Sequence, residues 1–471
     1  VNSYRYDMVV IGAGSGGYAA ARTARDLGAS VALVDHGPLG GLCILKGCMP
    51  SKTLLASSDL IADIREGREL GVTTGPPAID FGHIFDRKRE VIAGFADYRI
   101  DGIKSFPLYE GLASFESPHV LRVGTDVRLE ARSFVVATGS VVAPPAVPGL
   151  VEAGYLDSDG VLETANVPKS IVVLGGGYVG SELGQFLARM GVRTTFLIRA
   201  KHLLSTEDKD VGDSVTFYFR QEGIDVRSGV LVTRVELQGG LKVVHFTKDG
   251  EPDSVAAEEI FYALGRVPNV AGLELERAGV AYHAISGIDT GPDMRTTAPH
   301  IFAVGDVTGY YPLVHVAIYQ GELAARNAIG GAAEEADYTL QRSRTIFTDP
   351  QIAAVGRSEK ELQAAGIPYL TGSYLFSEHG KAIAINKTKG FVKMMASPDD
   401  GKILGAAVVG PEASDLIHEV IVAMYYGGTV AEFAKIPHLH PTLAEIWTYP
   451  AEDIAAQIEA NAAAAPRGVA V

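Results

Sequence analysis

The chain has 471 residues, is 47% hydrophobic and 21% charged, contains 54 glycines and carries a formal net charge of −15. That is a globular composition with enough chain for about three domains and many tight turns, and its acidic balance argues against nucleic acid or an anionic membrane as a partner. Two cysteines are too few for a secreted disulfide framework, no apolar run approaches a membrane span, and the first residues lack a signal-peptide pattern, so a cytoplasmic protein is expected.

In chain order, Asp7–Ile11 reads as a short buried strand that runs into Gly12-Ala13-Gly14-Ser15-Gly16-Gly17, a G-x-G-x-x-G pattern. An Ala-rich helix follows to about Leu27, and a second strand, Ser30–Val34, ends in Asp35. Strand, glycine loop, helix and acid in that order form the dinucleotide-binding fingerprint: the glycines admit a pyrophosphate to the helix N-terminus, and the acid accepts from a ribose. Helical patterns with loops extend from Ser51 to about Ile103, and strand-like segments run from Tyr109 to Arg132. A strand from Ser133 ends in the small-residue turn before Ser140, and the proline-rich Val142–Gly149 reads as a linker.

The opening pattern then repeats. Ser170–Leu174 is a strand, Gly175-Gly176-Gly177-Tyr178-Val179-Gly180 a second G-x-G-x-x-G, and a helix runs to about Met190. Two such folds imply two dinucleotides. The strand after the second helix, Thr194–Ile198, ends in Arg199 where the first unit has Asp35. An acid there suits the free 2′-hydroxyl of NAD and an arginine the 2′-phosphate of NADP; a solvated surface arginine is the alternative. Two more strand-to-turn segments follow, Ile260–Asn269 and Pro299–Gly309, the latter holding Asp306 between glycines. From about Thr345 the pattern becomes mixed strands and helices, ending in Pro437-His438-Leu439-His440-Pro441-Thr442-Leu443-Ala444-Glu445; an Ala-rich tail expected to fray starts at about Glu459.

Cys43 and Cys48, the only cysteines, flank Ile44-Leu45-Lys46-Gly47. A bridge closing so small a loop contributes little to stability, which favours redox chemistry over a structural staple. Cys48 precedes a helix that Pro50 begins, and the helix N-terminus with Lys46 and Lys52 nearby favours a thiolate. The alternatives are a zinc half-site, which lacks further cysteines, and two unrelated thiols. A thiol–disulfide cycle needs a proton carrier; His438 and His440 are candidates, with Glu445 placed to orient an imidazole.

Together these motifs resemble the flavin-dependent pyridine nucleotide–disulfide oxidoreductases, the group of dihydrolipoamide dehydrogenase, glutathione reductase and mercuric reductase. The resemblance spans about residues 5–458 and rests on G-G-x-C-x4-C-x-P-S-K at 40–52, A-T-G at 137–139, the second fingerprint at 175–180, G-R-x-P-N at 265–269, G-D at 305–306, F-T-D-P at 347–350 and H-x-H-P-T-x-x-E at 438–445. It implies an α/β fold with two Rossmann-like dinucleotide-binding domains, for FAD and NAD(P), and a C-terminal α+β dimerisation domain. The implied bounds are 1–148 for the first FAD part, 149–264 for the NAD(P) domain, 265–340 for the second FAD part, 341–458 for the interface domain and 459–471 for the tail.

By the same resemblance, FAD would meet Gly12, Gly14, Gly17, Asp35, Gly41, Lys52, Ala113, Thr138, Gly139, Asp306, Leu313 and His315. NAD(P)H would meet Gly175, Gly177, Tyr178, Gly180, Glu182, Arg199 and Gly265, with Tyr178 as a gate and Glu182 beside Lys52 near the flavin. Cys48 would face the flavin, Cys43 would exchange with substrate, and His440 held by Glu445 would be the acid–base, supplied across a homodimer. The His-x-His-Pro-Thr segment and Gly17-Tyr18 favour dihydrolipoamide dehydrogenase and a dithiol or lipoyl-protein substrate. Tyr178, Ile198, Arg199 and Arg22 favour an NADPH-dependent reductase of a small disulfide. Mercury reduction is disfavoured because no third cysteine exists. The residues between the cysteines depart from the family's pattern.

Overall fold

The computed structural model describes residues 2–164, 166–331 and 333–464. Its first sheet is parallel over strands Leu108–Glu110, Val31–Asp35, Asn2–Ile11 and Val127–Val136, in that spatial order. Strand Val127–Val136 is shared. Its first half pairs antiparallel with Val120–Val123, and its last residues pair parallel with Ile301–Ala303. Helix Ser15–Asp26 connects the first two strands, and helix Val314–Ile329 packs on it. Close approach of those helices requires small residues: a Cβ at Gly321 would lie 2.2 Å from the Gly16 carbonyl oxygen. Strands covered on both faces have no polar side to show, which explains the uninterrupted apolar run Met8–Ile11.

A second parallel sheet has the order Asp225–Ser228, Arg193–Ile198, Ser170–Leu174, Glu259–Tyr262. It is flanked by an antiparallel meander, Val230–Gln238, Leu241–Lys248 and Glu251–Ala257. The chain enters and leaves this unit through one two-stranded ribbon, Ser140–Val142 against Arg266–Pro268. The third sheet is antiparallel and five-stranded, in the order Arg344–Ile346, Gln351–Gly356, Ile403–Gly410, Phe391–Ala396, Leu370–Leu375. Its core also takes residues from helices Ala413–Tyr425 and Thr448–Ala464.

Buried ion pairs join the three units. Arg189, 4% exposed, reaches Asp59 at 2.8 Å, Glu222 at 2.6 Å and Asp349 at 2.5 Å, one acid from each unit. Lys393 is held by Asp208, Asp210 and Glu359 at 2.8 to 2.9 Å. These pairings satisfy charges that would otherwise be costly to bury.

Several details differ from the sequence reading. The first strand begins at Asn2, because its early residues pair with Val127–Ala131. The helical stretch after the cysteines breaks between Leu70 and Phe81, across Pro76-Pro77, and Asp80 caps the second helix by accepting from His83 N–H at 3.0 Å. Helix Thr448–Ala464 runs through the expected tail boundary at 459, anchored by buried Ala451 and Ile454; the rest of the tail lies outside the described residues. Among the described residues, no helix is long and apolar enough to cross a membrane.

Candidate active site

The cysteines sit at a helical corner. Cys43 lies in the short helix Leu42–Lys46, Gly47 breaks it, and Cys48 is the first residue of helix Cys48–Glu66. The sequence reading put Cys48 just ahead of its helix; the helix instead begins with it, two residues before Pro50. Both thiols are free, and each is the largest influence on the other's acidity. That mutual influence divides them. Cys48 is pulled down to about 6, first by the hydrogen bond from Cys43 and then by the charge of Lys52, against burial and the charge of Glu182. The same contact, together with burial, pushes Cys43 well above the thiol range. Near neutral pH the pair is therefore one thiolate and one thiol.

Lys52 lies one helical turn beyond Cys48. Its Nζ pairs with Glu182 at 2.7 Å and rests over the Phe347 ring at 4.6 Å. Glu182, on helix Tyr178–Arg189, is buried, and its other oxygen accepts from Phe347 N–H at 2.8 Å. One ion pair thus links the cysteine helix to the second nucleotide fold and the third sheet.

The pair opens into a cleft of about 680 Å³ lined by Gly12, Gly14, Asp35, Gly41, Ala113, Thr138, Gly139, Asp306 and Leu313 as well as Cys43 and Cys48. Gly12, at φ +100°, leaves no room for a side chain, since its Cβ would lie 2.4 Å from the Ala137 oxygen. Gly17 works by contact instead of lining: its Cβ would stand 1.9 Å from the Gly12 oxygen, so helix and strand touch there. A Cβ at Gly14 would meet only the Gly41 Cα, at 3.9 Å, and the helix it precedes carries no side-chain cap. First-turn N–H groups left uncapped at an open glycine form a phosphate cradle. Asp35 accepts from Ala13 N–H and Gly37 N–H, both at 2.7 Å, and so fixes the loop while lining the cleft. These donors, acids and dimensions fit an elongated dinucleotide.

Several lining residues went unrecognised in the sequence. Arg266 donates to Ser140 Oγ at 2.9 Å, and Ser140 Oγ donates to Asp306 at 2.7 Å. Asp159 pairs with Lys46 at 2.8 Å, so the atypical residue between the cysteines reaches a helix far along the chain. Ser140 and Arg266 stand at strand ends, Arg266 within the G-R-x-P-N motif, whereas Asp159 lies in helix Ser158–Glu163 with no local signal.

The remaining expected residues lie outside the cleft. His315 is exposed and bonded to the Gln341 carbonyl at 2.7 Å. Gly175 and Gly180 pack helix to strand as Gly12 and Gly17 do, Gly177 has open space, and Gly265 sits at φ +112°. Tyr178 donates to Glu207 at 2.5 Å, and burial with the charge of Glu207 pushes its hydroxyl up to about 12. Arg344 clamps Glu207 from 2.6 Å, so Tyr178 is anchored at the junction with the third sheet. Arg199 is exposed at its strand end with no hydrogen-bond or ion-pair partner among the described residues. Arg22 faces Glu322 at 3.6 Å.

The two candidate histidines differ. The His438 side chain is 5% exposed; its Nδ1 donates to the Ile436 carbonyl at 2.9 Å, and its Nε2 lies 2.6 Å from a Glu419 oxygen without hydrogen-bond geometry. His440 is 75% exposed, and its Nδ1 donates to both oxygens of Glu445 at 3.0 Å, leaving Nε2 to solvent. Neither His440 nor Glu445 lines the cysteine cleft of its own chain.

Residues 6–321 match the family model described as pyridine nucleotide-disulphide oxidoreductase, and residues 342–451 match that family's dimerisation domain. The dihydrolipoyl dehydrogenase of Geobacillus stearothermophilus is 34% identical over 447 residues, covering 93% of this chain and 94% of the relative. The mercuric reductase of Bacillus cereus is 32% identical, covering 94% of this chain and 70% of the relative. Among solved structures, the Cu(II) complex of the HOCl-induced flavoprotein disulfide reductase RclA from Escherichia coli superposes with a TM-score of 0.84 at 25% identity, covering 95% of this chain and 99% of that one.

Proposed function

The chain belongs to the pyridine nucleotide–disulfide oxidoreductase family, and we propose that it acts as a homodimeric oxidoreductase of the dihydrolipoamide dehydrogenase type, exchanging electrons between NAD(P)H and a dithiol–disulfide substrate. The observation that carries this reading is a single cleft in which a glycine phosphate cradle meets two thiols of unequal acidity. The family uses FAD with NAD(P)H. FAD, when bound, supplies the two-electron exchange between nicotinamide and the cysteine pair. We assign it the cleft residues named above together with Gly17 and Lys52, and we assign NAD(P)H the second fingerprint with Tyr178, Glu182, Arg199 and Gly265. The three sheets support a division of the chain into 1–148 with 265–340, 149–264, and 341 onward. A cytoplasmic location belongs to the same proposal, because two cysteines make no secreted disulfide framework.

The chemistry of the chain's own residues follows from the unequal thiols. In the reductive direction Cys43 loses its proton to a base and attacks one sulfur of the substrate disulfide. A Cys43–substrate mixed disulfide forms, and the displaced thiolate takes a proton. The Cys48 thiolate then attacks Cys43 Sγ, closing the Cys43–Cys48 disulfide and expelling the second substrate thiolate. The second substrate thiolate takes a proton from solvent, so the substrate gains two electrons and two protons, while the cysteine pair loses two electrons and the one proton that Cys43 gave up. Cys43 needs a base because its neighbour raises its pKa, and an imidazole backed by a carboxylate supplies one. We assign that role to His440 and Glu445 of a second copy of the chain, because they lie outside the cleft of their own copy.

A second reading, an NADPH-dependent reductase of a small disulfide, is favoured by Arg199, an exposed cation at the strand end where a 2′-phosphate docks. Steady-state assays of dihydrolipoamide with NAD against oxidised glutathione with NADPH separate the two. The first predicts lipoamide turnover in at least one direction, and its complete absence rejects that substrate class.

A further inference from the structure

Behind the His440–Glu445 pair stands a side chain that nothing in the sequence groups with them. His379 caps helix Gly380–Ala384, its Nδ1 accepting from Ala382 N–H at 3.4 Å. A ring nitrogen that accepts has committed its lone pair, so the proton of the neutral imidazole sits on Nε2. That Nε2 is buried without a hydrogen-bond partner and lies 4.0 Å from Glu445 Oε2. The side chain is 1% exposed. A buried donor without an acceptor is uncommon, and the carboxylate 4.0 Å away already serves another imidazole. Glu445 is thus shared by two histidines: exposed His440, bonded to both its oxygens, and buried His379, 4.0 Å from Oε2.

We propose that His379 is a positioning residue for proton transfer: its Nε2–H steadies the Glu445 carboxylate, and through it the orientation and basicity of His440. This rests on the role assigned to His440 above. Titratable groups beside the row include Tyr449, whose ring meets His379 edge-on at 6.3 Å, Tyr374, stacked on Tyr449 at 3.9 Å, and Glu452, whose charge acts on Tyr449. Burial pulls the pKa of His379 down, against the charge of Glu445, so it acts as a neutral donor and adds no second positive charge beside an imidazolium at His440. Its capping bond and the stacked tyrosines fix the ring.

Two substitutions divide the roles of the ring. His379→Asn keeps an acceptor where Nδ1 caps the helix but is too short to reach Glu445. His379→Gln extends an amide N–H to the place of Nε2 and gives up the cap. The FAD-loaded dimer is assayed for kcat against pH with whichever of lipoamide and oxidised glutathione the wild type reduces, and His440→Gln serves as the reference. Positioning predicts that His379→Asn loses about 10-fold in kcat with KM unchanged, displaces the limb of the pH profile that His440→Gln abolishes, and is largely rescued in His379→Gln. A role in capping alone predicts the opposite order. A wild-type profile in His379→Asn beside an impaired His440→Gln overturns the proposal for His379, whereas an unimpaired His440→Gln overturns the reading it rests on. If His379→Asn does not fold, nitrogen-15 histidine spectra of the wild type decide: an Nε2–H tautomer at His379 supports the proposal, and an Nδ1–H tautomer rejects it.

Discussion

Replacing Lys52 with methionine tests the electrostatics of the cysteine pair directly. Lys52 is four residues beyond Cys48 on one helix, about 6 Å along its axis. A unit charge at ~7 Å in an effective dielectric of about 20 to 40 contributes about 1–2 pKa units, and the exposure of Cys48 to the cleft favours the lower figure. Loss of Lys52 also leaves the buried Glu182 charge, which raises Cys48, without its partner. The Cys48 midpoint should therefore move from about 6 to about 7 or above. At neutral pH the thiolate fraction falls from about nine-tenths to about half or less. The assay is limiting iodoacetamide alkylation of the reduced enzyme from about pH 5 to about pH 9, with the Cys43 and Cys48 peptides quantified separately. Lys52→Met/Glu182→Gln should fall between wild type and Lys52→Met, because the opposing charge goes too. An unchanged Cys48 midpoint in Lys52→Met would refute the electrostatic account and leave the shift to the Cys43 hydrogen bond and the helix start.

The other predictions concern the second nucleotide fold and the junction of the units. Arg199→Glu should raise KM for NADPH far more than for NADH, since an acid repels a 2′-phosphate and accepts from a 2′-hydroxyl; equal effects in steady-state kinetics would make Arg199 a solvated surface residue. Arg189→Met should destabilise the protein by about 2–3 kcal/mol, below the full cost of breaking a buried pair, because Lys389 still meets Asp349 and Glu222 and Asp59 reaches solvent; denaturant unfolding showing a loss below about 1 kcal/mol would mean that water replaces the arginine.

Much of this molecule is written locally. Both glycine fingerprints, the acid after the first and the arginine after the second, lie within stretches whose geometry follows from a strand, a turn and a helix in sequence. The cysteine pair is legible for the same reason: the spacing of Cys43 and Cys48 sets its own loop. The family resemblance pointed to His440, whereas the residues taken alone left His438 and His440 open. The choice follows from which imidazole the third sheet buries, and Glu419 takes the buried one.

What the sequence by itself determined, then, is the set of local devices: two nucleotide cradles, one thiol pair, one exposed imidazole–carboxylate turn. Only the tertiary structure decided how they work on one another. Lys52 meets Glu182 across two units, Arg189 collects an acid from each of three, and His379 arrives behind Glu445 from a separate helix. Such pairings depend on how sheets and helices stack, and apolar side chains spread along the whole chain set that stacking. A local pattern therefore announces a device, while its pKa, its partner and its orientation come from residues that the fold brings to it.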